Sequence, residues 1–267
     1  FRANTPDDIY DAFMRLFEQA QQPLSVPLID GQVTVDANVQ ELKLLVKREA
    51  GDGPMRLTDP SNRDLTAGAS APGVDWQSTP EFDRITIKNP EAGSWKVMAG
   101  DGEKKAYIES NLDLNARLPV MAEVNEAIDI AARLSYQGAP VDPSLLKSTR
   151  FTATVLNESD AIQQQIELKP DPGGRNPQDY RSELRIPASG SFQVRVSAEG
   201  LGFQRQKGYF ISIVGGQQQA ALPDQLPADT APPSDSQQNA LVIILSVNLT
   251  LLAPVSYTHL RAHETHH

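Results

Sequence analysis

From Gln32 to Ile213 short runs of residues alternate between apolar and polar positions, and turn-forming stretches separate the runs. Val33 and Val35 open the series, followed by Leu42, Leu44 and Val46, then by Met55 and Leu57. Period two places alternate side chains on one face, so each run predicts a strand with one buried side. Asp59-Pro60-Ser61-Asn62 reads as a turn. Ile85 and Ile87 lead into a second turn, Asn89-Pro90-Glu91-Ala92-Gly93, after which Trp95, Val97 and Ala99 resume the alternation. Tyr107 and Ile108 belong to the last strand of this series, ahead of Leu112 and Leu114. The Leu65–Pro80 stretch is polar, rich in small residues, and reads as a long surface loop.

A similar series begins near Ala122. Ile128, Ile130, Ala132 and Leu134 alternate up to the turn Gly138-Ala139-Pro140. Phe151, Ala153 and Val155 predict the next strand, and Ile166 with Leu168 another, before Pro170-Asp171-Pro172-Gly173-Gly174 breaks the chain. Tyr180, Ser182, Leu184 and Ile186 follow, then Phe192, Val194 and Val196, and finally Tyr209, Ile211 and Ile213. The expected fold class is mainly β: two tandem antiparallel Ig-like β-sandwiches, over 23–114 and 115–215. The two series share organisation but no sequence repeat.

The start of the chain has a different period. Thr5 suits a helix cap, Pro6 the first turn, and Asp7 and Asp8 the positive end of the helix dipole. Ile9, Phe13, Leu16, Phe17 and Ala20 then recur at helical spacing on one apolar face, and Gln21-Gln22-Pro23 ends the helix. A lone helix of this length needs a packing partner. Residues 1–22 are therefore expected to be the terminal helix of a missing upstream domain, with the best partner for that face lying before Phe1.

At the other end, 216–238 holds Gln, Ala, Pro, Asp and Ser with almost no bulky apolar residue, a composition expected of a flexible linker. Residues 239–253 are apolar apart from Asn239, Ser246, Asn248 and Thr250. A bilayer span takes roughly 20 residues, so this run is expected to be a truncated transmembrane helix. The stretch Val255–Thr265 resembles the in-frame translation of a transposase adapter used in shotgun DNA sequencing, and Pro254 fits the bases before it. On that reading 254–267 are adapter-derived, the chain is a fragment, and its native sequence stops near Ala253. All four histidines fall in the last nine residues, so the spacing His259-x-x-x-His263-Glu264 is then not a metal motif.

The net charge of −10 and the absence of a basic stripe argue against a nucleic-acid partner. Without cysteine there is no disulfide framework, thiol nucleophile or thiolate metal site. A hydrophobic content of 39% with 6% aromatics fits globular domains outside a bilayer.

The run Pro27–Val46, PLIDGQVTVDANVQELKLLV, resembles the junction where a von Willebrand factor A domain passes into a following β-sandwich. In that resemblance Asp8–Gln21 matches the last helix of the A domain. LTDPSNRDL (Leu57–Leu65) and ITIKNPEAGSWKV (Ile85–Val97) fit the sandwich of the same family. The resemblance spans roughly residues 5–215. It implies a bacterial, extracytoplasmic protein on the periplasmic side of the inner membrane, with an A domain, Ig-like sandwiches and a C-terminal anchor. The family's metal-dependent Asp-x-Ser-x-Ser loop is not in this chain, so a divalent cation would belong to the upstream domain, and no cofactor is expected here.

Candidate chemistry is sparse. Asp59, Ser61, Asn62 and Asp64 offer oxygens that a Ca²⁺ ion could use, and a β-turn with Asp and Asn satisfying local amides explains the same residues. Asp171, Asp179 and Glu183 pose the same choice, and the turn is preferred for both groups. Trp95, alternating with Val97, is expected in the core, and Trp76, in the polar loop, is the better candidate for an exposed binding contact. Ser144-Leu145-Leu146-Lys147 has Ser-x-x-Lys spacing, but Pro143 and its surroundings predict a short capped helical turn. No catalytic, cofactor-binding or metal residue is assigned, and the fragment is expected not to be an enzyme. The expected function is a scaffold or stalk for adhesion or protein–protein interaction, with partners in the upstream A domain, an unidentified protein and the membrane. Alternatives are an accessory region of a secreted or membrane-bound hydrolase and a periplasmic subunit of a membrane complex.

Overall fold

A computed structural model describes residues 6–49, 51–68, 71–174 and 176–215. Thr5, the linker expected at 216–238, the membrane helix expected at 239–253 and the adapter-like tail lie outside the described residues. Within them the chain is mainly β, with antiparallel sheets and one early helix of any length.

That helix, α1 (Pro6–Gln21), packs by a stripe rotated from the one its apolar spacing indicates, with Phe17 common to both. Met14 is buried and Tyr10 and Phe17 half-buried, whereas Phe13 and Leu16 are 64% and 65% exposed. Aromatic and polar anchors set this rotation. Tyr10 lies against Phe82, Phe17 meets Tyr107 edge-on at 5.7 Å between ring centroids, and Glu18 accepts hydrogen bonds from Tyr107 and Lys105. These contacts give α1 a partner inside the described chain and leave an apolar outer face.

The N-terminal β region comprises β1 (Leu28–Ile29), β2 (Gln32–Val35), β3 (Val39–Lys47), β4 (Arg56–Thr58), β5 (Asp64–Thr66), β6 (Val74–Ser78), β7 (Phe82–Lys88), β8 (Gly93–Met98) and β9 (Lys104–Ser110). They form two sheets, ordered β1-β2-β8-β4-β5 and β6-β7-β3-β9. Asp30 and Gly31, both at positive φ, make the tight turn between β1 and β2. Gly93, at φ 140°, has no room for a side chain, since a Cβ there would stand 2.7 Å from Pro60 Cβ. The turns flanking β4 and β8 therefore touch through a glycine and a proline.

The C-terminal β region comprises β10 (Leu112–Arg117), β11 (Met121–Glu123), β12 (Ile128–Tyr136), β13 (Ala139–Pro140), the short helix α2 (Pro143–Lys147), β14 (Arg150–Leu156), β15 (Ile162–Pro170), β16 (Tyr180–Leu184), β17 (Gly190–Gly200) and β18 (Phe203–Val214). Its strands run β10-β12-β16-β15-β14-β17-β18-β11, with β13 on β12. The sheet is continuous because the end of β15, Lys169 and Pro170, pairs with β16 while the rest of β15 pairs with β14. Every pairing is antiparallel except β11 with β18.

Two expectations change, and one strand is added. The loop expected over 65–80 contains β6 and the end of β5; β6 pairs along its whole length with residues 83–87 of β7. Its polar outer residues hid the strand, because an edge strand needs few buried side chains. Leu112 and Leu114, read as closing the first series, lie on β10, which pairs with β12 and so belongs to the second. Finally, the parallel β11 is too short for its period to register in the sequence. Buried apolar residues from both regions form one cluster, from Val33 and Leu42 to Phe151 and Ile213.

Candidate functional site at the junction of the β regions

β18 alternates inward residues from Ile213 back through Ile211 and Tyr209 to Phe203, and Arg205 occupies one of those inward positions at 0% exposure. A buried guanidinium is tolerated only when its donors are all used. Arg205 makes five hydrogen bonds: Nε to the Leu112 carbonyl at 2.9 Å, two to the carboxylate of Asp36 at 2.6 and 3.1 Å, one to the Gln204 carbonyl and one to Ser110 Oγ. Asp36 directly follows β2, Ser110 ends β9, and Arg205 is on β18, so the fork ties the two regions together. Burial alone would raise the Asp36 pKa; the hydrogen bond and charge of Arg205, with two hydrogen bonds from Asn38, outweigh it and hold the carboxyl below its usual range.

A backbone bridge lies beside this pair. Val26 N–H donates to Ala106 and Ile108 N–H to Leu24, which adds the connecting segment to β9. Ser25 and Gln206 exchange both backbone hydrogen bonds at 2.8 Å, which adds the same segment to β18. Hydrogen bonding thus runs from one region into the other.

β18 also seals the end of the β10 sheet. The Tyr209 hydroxyl accepts the Ala116 N–H at 2.7 Å, Arg205 caps the Leu112 carbonyl, and Lys207 between them reaches Asn115. Burial pushes the Tyr209 phenol up to about 12, against the lowering effect of the Ala116 hydrogen bond.

Helix α1 spans the same junction. Glu18 Oε1 accepts from Tyr107 Oη and Lys105 Nζ, each at 2.7 Å, and Arg15 donates to the Glu158 carbonyl in the C-terminal region. Burial first, and then the Glu18 charge, raises the Tyr107 pKa far above that of a free phenol. Burial opposes the charge on Lys105, but Glu18 and Glu103 outweigh it and raise its pKa. A cleft of about 310 Å³ lies beneath the helix, with Glu103, Asp160, Gln193 and Arg195 among its walls. Lys105 pairs there with both Glu18, at 2.7 Å, and Glu103, at 3.3 Å.

Asp59 is 4% exposed, and its carboxylate accepts from Arg63 N at 2.8 Å and Arg63 Nε at 2.7 Å. Asn62 N–H closes the turn on the Asp59 carbonyl. The Asp59 oxygens are thus spent on the turn, while Asp64 accepts from the Thr58 hydroxyl and Ser61 donates to Glu91. Asp59→Ala is expected to cost about 1–3 kcal/mol, because it strands the Arg63 donors. Millimolar Ca²⁺ is expected to leave the melting temperature unchanged, and a calcium-dependent rise would restore the cation reading.

Asp171 and Asp179 are brought together across a turn by the Asp171 N–H to Asp179 carbonyl bond, but their carboxylates face arginines. Arg117 lies 2.7 Å from Asp179, Arg133 is 3.9 Å away, and Arg181 is 3.4 Å from Asp171. Glu183 is an exposed residue of β16. Among the described residues no group of three or more His, Cys, Asp or Glu is placed to hold a metal ion. Trp95 is in the core and donates to the Glu91 carbonyl. Trp76 is half-buried on β6 and donates at 2.9 Å to Asp83, so its polar edge is occupied. The Ser144–Lys147 segment forms α2, capped by Asp142, which accepts from Ser144 N–H at 2.7 Å.

Sequence reasoning missed Arg205, Asp36 and the Glu18 group. One signal was present: counting down in twos from Ile213 lands on Lys207 and Arg205, two charges in an otherwise apolar series. Nothing local identifies Asp36 as its partner.

No family model matches this chain, and no curated protein matches it. Among solved structures it is similar to a Bacillus licheniformis lipase, BlEst2, in propeptide form, at 14% identity and a TM-score of 0.32, covering 71% of this chain and 38% of the lipase. It is also similar to apo β-glucuronidase 3 of Bacteroides uniformis, at 8% identity and a TM-score of 0.27, covering 68% of this chain and 26% of that enzyme. The chain therefore spans less than half the length of either.

Proposed function

We propose that the two β regions are tandem Ig-like sandwiches forming a non-catalytic stalk in a bacterial extracytoplasmic protein. The stalk presents an upstream von Willebrand factor A domain for adhesion or protein–protein interaction, and a C-terminal helix anchors it in the inner membrane. The junction is the observation that carries this reading. A stalk transmits position only if its modules do not pivot, and here a buried five-bonded Arg205 and a shared backbone ladder span them. Two further features support it. The side chains considered for chemistry are spent on turns and internal ion pairs, and α1 offers an exposed Phe13–Leu16 face to a preceding domain. Among the described residues no helix is long and apolar enough to cross a membrane, and the proposed anchor at 239–253 lies outside them.

Two measurements on the complete reading frame test the proposal. Deletion from Asn239 onward is expected to move the protein from the membrane to the soluble fraction, and continued membrane association removes the anchor. Sequence upstream of Phe1 is expected to hold an Asp-x-Ser-x-Ser loop; a hydrolase triad there makes these regions the accessory part of an enzyme instead.

A further inference from the structure

Lys207 is the middle of the three β18 side chains that seal the β10 edge, and it faces an unusual pair. Its Nζ lies 3.4 Å from Asn115 Oδ1 and 3.7 Å from Asp113 Oδ1. Asn115 in turn donates its Nδ2 to Asp113 Oδ2 at 2.9 Å. The Lys207 side chain is 16% exposed and lies beside buried Tyr209, while Asp113 is 38% exposed and Asn115 is exposed at the strand edge. An amine, a carboxamide and a carboxylate that contacts both are thus held together by two strands from opposite ends of the C-terminal region. A surface lysine seeking charge would need only Asp113.

We propose that Lys207 and Asn115 form an intramolecular amide cross-link, with Asp113 moving the protons. Asp113 takes a proton from the Lys207 ammonium, which frees the lone pair of Nζ. The amine attacks Cγ of Asn115, and the Nζ–Cγ bond forms. Asp113, now protonated and already bonded to Nδ2, returns the proton to that nitrogen as the Cγ–Nδ2 bond breaks. The attacking nitrogen gives up its second proton through Asp113 to the departing ammonia, which leaves as ammonium; the carboxylate is regenerated, and no oxidant, metal or cofactor enters the balance. The driving force is proximity, since a contact held within the fold replaces an encounter in solution.

The position of the bond gives it a purpose. β10 is the first strand of the region, entered two residues after the end of β9, and β18 is its last long strand. Tension entering from the N-terminal region and leaving after Val214 would pull on these two strands. A covalent tie between them carries that load past the hydrogen-bonded sheet. The chemistry stands without the stalk reading, and failure to find the bond leaves that reading intact.

The intact mass of the folded full chain tests it. The expected result is a mass lower by about 17 Da than the sequence sum, the loss of one ammonia. Tryptic digestion is expected to give a branched peptide joining the Asn115 and Lys207 segments, with cleavage after Lys207 lost. Lys207→Arg and Asn115→Ala are expected to restore the full mass. Asp113→Ala, which keeps both reacting groups, is expected to slow the loss at least about tenfold, in the range typical of a removed proton-transfer group. A full-mass wild-type protein after days of incubation overturns the proposal. So does an ammonia loss with Lys207 still cleavable, because that marks a cyclic imide at an asparagine.

Discussion

Arg205→Ala is expected to destabilise the chain by about 3–5 kcal/mol, the cost of leaving one member of a buried ion pair without its partner. The Asp36 carboxylate would remain at the junction with only Asn38 to satisfy it, and the Leu112 carbonyl and Ser110 hydroxyl would each lose a donor. For a folded unit of this size, that corresponds to a fall in melting temperature on the order of 10 °C. Arg205→Lys is expected to recover little, since an ammonium cannot reproduce the planar two-pronged bond to Asp36. The double change Arg205→Met with Asp36→Leu is expected to recover most of the loss, because it removes both charges together. Thermal unfolding of the four proteins decides the matter; equal melting temperatures would mean that the fork contributes no stability.

The same pair sets a pH dependence with a definite sign. The folded Asp36 pKa is lowered, so its contribution is fully present above the unfolded value and is lost as pH falls through the folded value. The stability gap between wild type and Asp36→Asn is therefore expected to be constant near neutrality. It should narrow on acidification below about pH 4, the ordinary aspartate range. A gap that widens in acid would mean that folding raises the Asp36 pKa instead of lowering it.

Phe151→Ala is the second large effect expected, about 3–5 kcal/mol, from loss of a buried ring and the cavity left behind. Phe151 is 0% exposed and stacks on Tyr180 with ring centroids 4.1 Å apart. Its value lies in where it can be read. Both tryptophans, Trp76 and Trp95, are in the N-terminal region, while Phe151 is in the C-terminal one. Because the core and the junction are continuous, tryptophan fluorescence and far-ultraviolet circular dichroism are expected to shift together toward lower denaturant. If fluorescence stays at its wild-type midpoint, the regions unfold separately and the junction does not couple them.

How far the strands were legible depended on burial. β3 and β17 bury alternate residues along most of their length, and their spacing alone identified them. β6 presents only half-buried or exposed side chains, Val74 and Trp76 included, and so read as loop. The helix was recognisable, but its rotation was not. Phe13 and Leu16 are as apolar as the residues that do pack, and the choice between stripes fell to Tyr10, Phe17 and Glu18 meeting Phe82, Tyr107 and Lys105. For the acids near loops, the sequence offered two readings, and the structure shows Asp59 turned onto Arg63 and Asp179 onto Arg117.

Period two and the spacing of Pro and Gly determined, on their own, a mainly β chain in two series behind one helix. Those signals are local, because a strand's alternation is set by its own pleat and by which face avoids water. Composition likewise removed thiol chemistry and weighed against a polyanion partner. Only the tertiary structure decided that the series are fastened to each other, through Arg205 and Asp36, 169 positions apart in the chain. A lone arginine on a strand is soluble, costly or structural according to what faces it, and the pattern of neighbours in sequence holds no record of what folding brings opposite.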